Sequence, residues 1–96
     1  MIYNPEAIAA LQTQVDTVCT LPGQPLKWQY LPLFLGFYAV GADGTHYNVK
    51  CGVRGSGRVL PNSWMVCAWP AGRPYLSVYV APQPLADAWQ NLNDRL

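Results

Sequence analysis

The residues with the most chemistry to offer are Cys19, Cys51, Cys67 and His46. They are the right types for zinc, but no two lie within four residues of each other, so none forms the short ligand pair of a zinc knuckle. Cys51 and His46 are five apart; on one strand that spacing turns them to opposite faces, and they cannot act as a thiolate–imidazole pair without a bulge. Cys67 can meet His46 only across a sheet. Free cysteines commonly pack as small apolar side chains, and core packing is the role expected here. The carboxylates Glu6, Asp16, Asp43, Asp87 and Asp94 form no pair: Asp43 belongs to a turn and the others to helix surfaces. General acid–base catalysis needs positioned groups of matched pKa. The chain is therefore expected not to be an enzyme and to carry no metal or cofactor, with a cysteine-dependent enzyme as the remaining catalytic alternative.

The stretch KCGVRGSGRVLPNSW, Lys50 to Trp64, looks at first like a phosphate loop. A Walker loop ends in Gly-Lys-Ser/Thr and runs into a helix. Here Pro61 follows soon after the glycines, and no lysine stands behind them. The dinucleotide fingerprint fails for the same lack of a helix. Residues 52–62 read instead as a flexible Gly/Arg connector that carries Arg54 and Arg58 into solvent. Their guanidinium groups can hold a carboxylate or a phosphate, or meet only water. With Lys50 and Arg73 they could form a small basic patch.

Aromatic side chains and arginines are the usual anchors of protein interfaces. The chain holds four Trp and six Tyr. Trp64 and Trp69 bracket one predicted strand, and Tyr75 and Tyr79 sit on the next. The expected partner-binding set is Trp69 or Trp64 with Tyr75 and Tyr79, joined by Arg54, Arg58 and Arg73.

The elements that position these residues follow from periodicity. Asn4 is a suitable cap and Pro5 a suitable first helical residue. Ile8, Leu11, Val15 and Val18 then form one apolar stripe at helical spacing, ended by TLPGQP. PLFLGFYAV and THYNVKCGV flank Asp43-Gly44, which predicts a hairpin with a two-residue turn. That turn pairs Val40 with Tyr47, Tyr38 with Val49 and Gly36 with Cys51 on an apolar face. It leaves Phe37, Ala39, His46, Asn48 and Lys50 on a half-wet one. SWMVCAW and YLSVYVA, joined through PAGRP, supply two more strands, and the parity of that connection stays open. A second helix follows Pro84, with Leu85, Trp89, Leu92 and Leu96 as its stripe. The expectation is one compact domain over residues 1–96. Its class is α+β: two layers, an antiparallel sheet of about four strands with N- and C-terminal helices, order α-β-β-β-β-α. Two amphipathic helices on one sheet face would leave aromatic residues on the other.

Composition narrows the function class. The 96 residues are 51% hydrophobic and only 11% charged, against roughly a quarter in an average domain. So little charge, with so many aromatic rings to place, suggests surface covered by another protein or by a second copy of the same chain. Lys27 to Arg73 carries net +4 and the flanks net −3. Five scattered basic residues are few for a nucleic-acid footprint. No stretch reaches the 18 or so apolar residues of a membrane span. The opening MIYNPEAIAAL lacks the basic region of a signal peptide, and an odd cysteine count fits free thiols. The reading is a small cytoplasmic protein-binding module, an inhibitor, adaptor or assembly subunit, with no membrane partner. The alternative is single-stranded nucleic-acid binding through Lys50, Arg54, Arg58 and Arg73 with exposed aromatics.

Overall fold

The computed structural model of the chain describes residues 5–32, 36–53, 59–74, 76–78 and 83–96, with the side chains at 53, 59–62 and 76–78 outside that description. It is an α+β fold in the expected order, with one short strand added at the front. The elements are α1 (Pro5–Val18), β1 (Gln29–Leu31), β2 (Gly36–Val40), β3 (His46–Val53), β4 (Val59–Trp69), β5 (Leu76–Val78) and α2 (Leu85–Arg95). The strands form one antiparallel sheet in the order β1-β2-β3-β4-β5, each paired with its neighbour in sequence.

Both helices lie on one face of this sheet. Leu11 and Val15 of α1 and Leu85, Ala88, Trp89 and Leu92 of α2 share a single core with Phe37, Ala39, Tyr47, Val49, Cys51, Trp64, Val66 and Ala68. The helical stripes are those read from the sequence, with Ile8 and Val18 packed at the margin. The proposed Asn4 cap lies outside the described residues.

The two helices are tied together through tryptophan. The Trp28 indole N–H donates to the Cys19 carbonyl at 3.0 Å, and the Trp89 indole N–H donates to the Thr20 carbonyl at 3.0 Å. These carbonyls follow the last turn of α1, where backbone acceptors run out of intrahelical partners. The same two indoles meet edge to face at 5.8 Å and 75°, and both contact Tyr47, at 6.5 Å and 5.3 Å. Such tilted pairs stabilise by about 0.5–1.5 kcal/mol beyond the area they bury.

The β2–β3 hairpin differs from the expected register by one residue. The Gly41 N–H donates to the Thr45 carbonyl at 2.8 Å, and the Gly41 carbonyl accepts from the Gly44 N–H at 3.0 Å. The loop is thus Ala42-Asp43-Gly44, three residues instead of two, with Gly44 at φ +85° taking the left-handed position of a bulged turn. The Thr45 N–H donates to the Asp43 carboxylate at 3.0 Å, which holds that carboxyl below its usual pKa. Strand pairing becomes Phe37 with Val49, Tyr38 with Asn48, Ala39 with Tyr47 and Val40 with His46. A one-residue slip sends every side chain of one strand to the other face. Phe37 and Ala39, expected on the wet side, are in the core; Tyr38 and Val40, expected on the apolar side, leave it.

The connector is also shorter than the 52–62 read from sequence. β3 continues through Val53 and β4 begins at Val59, and these two residues pair across a bulge that follows Cys51. Only residues 54–58 link the strands, and they lie outside the described residues. At the bulge Gly52 faces Ser63 so closely that a Cβ there would sit 2.8 Å from Ser63 Oγ and 3.1 Å from its carbonyl oxygen. On the last pair, Cys67 is in register with Ser77, Ala68 with Leu76 and Val66 with Val78.

Candidate functional site

The face of the sheet away from the helices carries the candidate site. Its side chains come in rows across the strands: Val40, His46 and Trp69 in one, Tyr38, Asn48 and Cys67 in the next, and Lys50 with Met65 beyond. Period-two alternation puts them there once Trp64, Val66 and Ala68 are committed to the core. Among the described residues no helix covers this face. Its first row holds two large apolar side chains with high exposure, Val40 at 45% and Trp69 at 61%.

Between these rows and the turn after β4 lies an open groove of about 580 Å³, within the roughly 300–1,000 Å³ usual for ligand pockets. Tyr38, His46, Asn48, Cys67 and Trp69 line it from the strands, and Pro70, Ala71 and Gly72 close one end. The turn is held by an Arg73 N–H bond to the Pro70 carbonyl at 3.2 Å. The Tyr38 hydroxyl is hydrogen-bonded to His46 Nδ1, and their rings lie 5.7 Å apart. That bond fixes the imidazole and leaves Nε2 as its second polar atom. Among the described lining residues none is a carboxylate, lysine or arginine. Asn48 Oδ1 is shut off from solvent and has no hydrogen-bond partner among the described residues.

The thiols divide between the two faces. Cys19 and Cys51 belong to the core, where burial pushes their pKa values up to about 12 and about 11. A thiol held protonated is a poor nucleophile. Cys51 and His46 do face opposite sides, as their spacing requires. Cys67 is buried but stands outside the core cluster, on the groove side. Among the described residues no group of three or more His, Cys, Asp or Glu could hold a metal ion.

Of the partner-binding set read from the sequence, Trp64, Trp69 and Arg73 are among the described residues. Trp64 is a correction: it is 2% exposed and packs in the core, because it alternates with Met65 and falls on the helix side. Trp69, odd-numbered like Met65 and Cys67, is on the open side. Arg73 is exposed at the end of the groove turn, and its guanidinium donates to the Leu96 carbonyl at 3.3 Å. Tyr75, Tyr79, Arg54 and Arg58 lie outside the described residues. Lys50 is half-buried beside Met65, whereas Arg73 lies past the far end of β4, so the structure does not bring these two together. Sequence reasoning missed Tyr38, His46, Asn48 and Cys67 as neighbours around one groove. The signal that could have found them is the Gly-Ala-Asp-Gly-Thr loop, whose two glycines fit a three-residue bulged turn. No protein-family model, no curated protein and no solved structure matches this chain.

Proposed function

We propose that the chain is a small non-catalytic protein-binding module, and that the open sheet face is where its partner docks. The observation that carries this reading is the placement of Val40 and Trp69 in one cross-strand row, both well exposed, beside a groove with no carboxylate, lysine or arginine among its described lining residues. Tryptophan is among the residues most enriched as interface anchors. Few groups on the face could do covalent work: Cys67 is buried, and His46 is held by Tyr38. The three cysteines are all free and buried, which fits a reducing compartment such as the cytoplasm.

Affinity capture from the native cell tests the reading. The bait is the wild-type chain, a Val40→Ser/Trp69→Ser double variant, or a Gln14→Ala control on the exposed face of α1. A partner held by wild type and control, and lost by the double variant, is the expected result. The same proteins recovered with all three baits would overturn it. Sedimentation of the purified chain separates a second copy from a foreign partner, since self-association through this face must disappear in the double variant.

A further inference from the structure

We infer that Tyr38 and His46 form a proton-operated switch on the open face: their hydrogen bond reverses direction when the imidazole takes up a proton, and the Tyr38 O–H turns from the ring toward the groove. The reversal is a property of this chain alone, while its use in regulating docking rests on the reading of the open face given above.

The bond itself is the first observation. The Tyr38 hydroxyl meets His46 Nδ1 across the β2–β3 hairpin, from adjacent rows of the open face. In a neutral imidazole one nitrogen donates and the other accepts. Imidazole nitrogens take up a proton near neutrality and phenol oxygens do not. Nδ1 is therefore the better acceptor of the pair: the Tyr38 O–H donates to it, and His46 carries its own hydrogen on Nε2. In the cation both ring nitrogens carry hydrogen. Nδ1 then only donates, the Tyr38 oxygen accepts, and the single phenol hydrogen must point away from the ring. The contact survives, but Tyr38 now offers the groove a donor in place of lone pairs. The second observation is access. His46 is exposed, Tyr38 is half-buried, and both line the groove. The third is the charge around the pair. The other titratable groups lining the groove are Tyr47 on β3 and Cys67 on β4, and Trp69 in the row of His46 carries no charge. Lys50 lies two rows along β3, and Asp43 and Arg73 line the cleft that shares Tyr47, Pro70 and Ala71 with the groove. Lysine, arginine and aspartate keep their charges over the range of about pH 5–8 in which imidazoles change theirs. His46 is the one histidine of the chain. Protonation of histidines at an interface is an established way to bias binding. Here a docked partner meets an acceptor on Tyr38 in one state, and a donor beside a positive ring in the other.

The test is an NMR titration of the intact, isotope-labelled chain over about pH 5–8. With the ring neutral, its nitrogen shifts should show hydrogen on Nε2. Tyr38→Phe should lower the excess of that tautomer over the Nδ1–H form about fivefold, the value of one neutral hydrogen bond. As His46 takes up its proton, the Tyr38 Cζ resonance should move with the same midpoint, and in His46→Gln it should stay still. If Tyr38→Phe does not fold, the nitrogen shifts and the Cζ titration of the wild type decide alone. A neutral ring with its hydrogen on Nδ1, a tautomer ratio unchanged by Tyr38→Phe, or a Tyr38 Cζ that ignores the titration overturns the inference. Partner capture at the two ends of the pH range separates the switch from the docking surface. Capture that differs between the ends in wild type, and differs less in His46→Gln, ties the reversal to docking. Capture equal at both ends, with the reversal seen by NMR, keeps the switch and removes its role in docking. A partner lost by the Val40→Ser/Trp69→Ser variant, with no reversal seen, keeps the surface and removes the switch.

Discussion

The two faces of this sheet treat the same side chains differently. On the helix side, two indole N–H groups end on backbone carbonyls, and their rings lock against Tyr47. On the open side, a third indole, Trp69, stands 61% exposed, and an asparagine carbonyl is left without a described partner. Buried polar atoms cost about 1–3 kcal/mol when unpaired. One such atom, Asn48 Oδ1, lies on the open side and another, Gln83 Nε2, just before α2, so what separates the two faces is the exposed ring of Trp69 and not polar pairing. The lesson is that aromatic content alone says little about binding. Trp64 and Trp69 are five residues apart on one strand, and only the second is exposed.

The widest test of that contrast is to truncate one indole on each side. Trp89→Ala removes a 7%-exposed ring together with the donor to Thr20, and should cost about 3–5 kcal/mol in urea unfolding. Alkali probes the helix side differently. Burial raises the Cys19 thiol from 9.0 to about 12, so the native state keeps a proton that the unfolded state gives up. This contribution is complete below pH 9 and is lost as pH climbs toward 12. Stability should fall there by up to about 1.4 kcal/mol per pH unit. A pH series of unfolding midpoints in the wild type and in Cys19→Ala checks it: the variant should show the shallower decline.

Smaller effects are expected where the two faces are kept in register. Gly52→Ala drives a methyl group into Ser63 at the bulge and should lower stability by about 1–3 kcal/mol, read as a shift of the thermal midpoint. Gly44→Ala forces a side chain into φ +85°, with the Ala71 methyl in ordinary contact at 3.8 Å, for about 1 kcal/mol. Trp69→Ser should change the unfolding free energy by less than about 0.5 kcal/mol while abolishing partner capture. A large destabilisation by that last substitution would erase the distinction between the faces.

Much of this architecture was legible in the sequence. Leu11 and Val15, four apart after Pro5, specify α1; Leu85, Trp89 and Leu92 do the same for α2. In both cases a single stripe suffices, because helical period is a local property. The added strand β1 was not legible, since Gln29 to Leu31 is too short to show alternation. The site was lost at one loop. Reading Asp43-Gly44 as the whole turn hid the bulged position of Gly44, and that one-residue error carried Tyr38 into the core and Phe37 out of it. Strand register is a relation between two segments, and one loop residue decides it for every pair. The Trp64 and Trp69 assignment turned on the same parity.

The bond from Trp89 to Thr20 also sets an order of events during synthesis. Its donor lies 69 residues after its acceptor. At about 5–20 residues per second, the Thr20 carbonyl leaves the ribosome roughly 3–14 s before the indole that will cap it. The first helix is made early and finished last. Through that interval the helix-facing side of the sheet has only one of its two covering helices, so the nascent chain shows its helix-side aromatics before it can hide them.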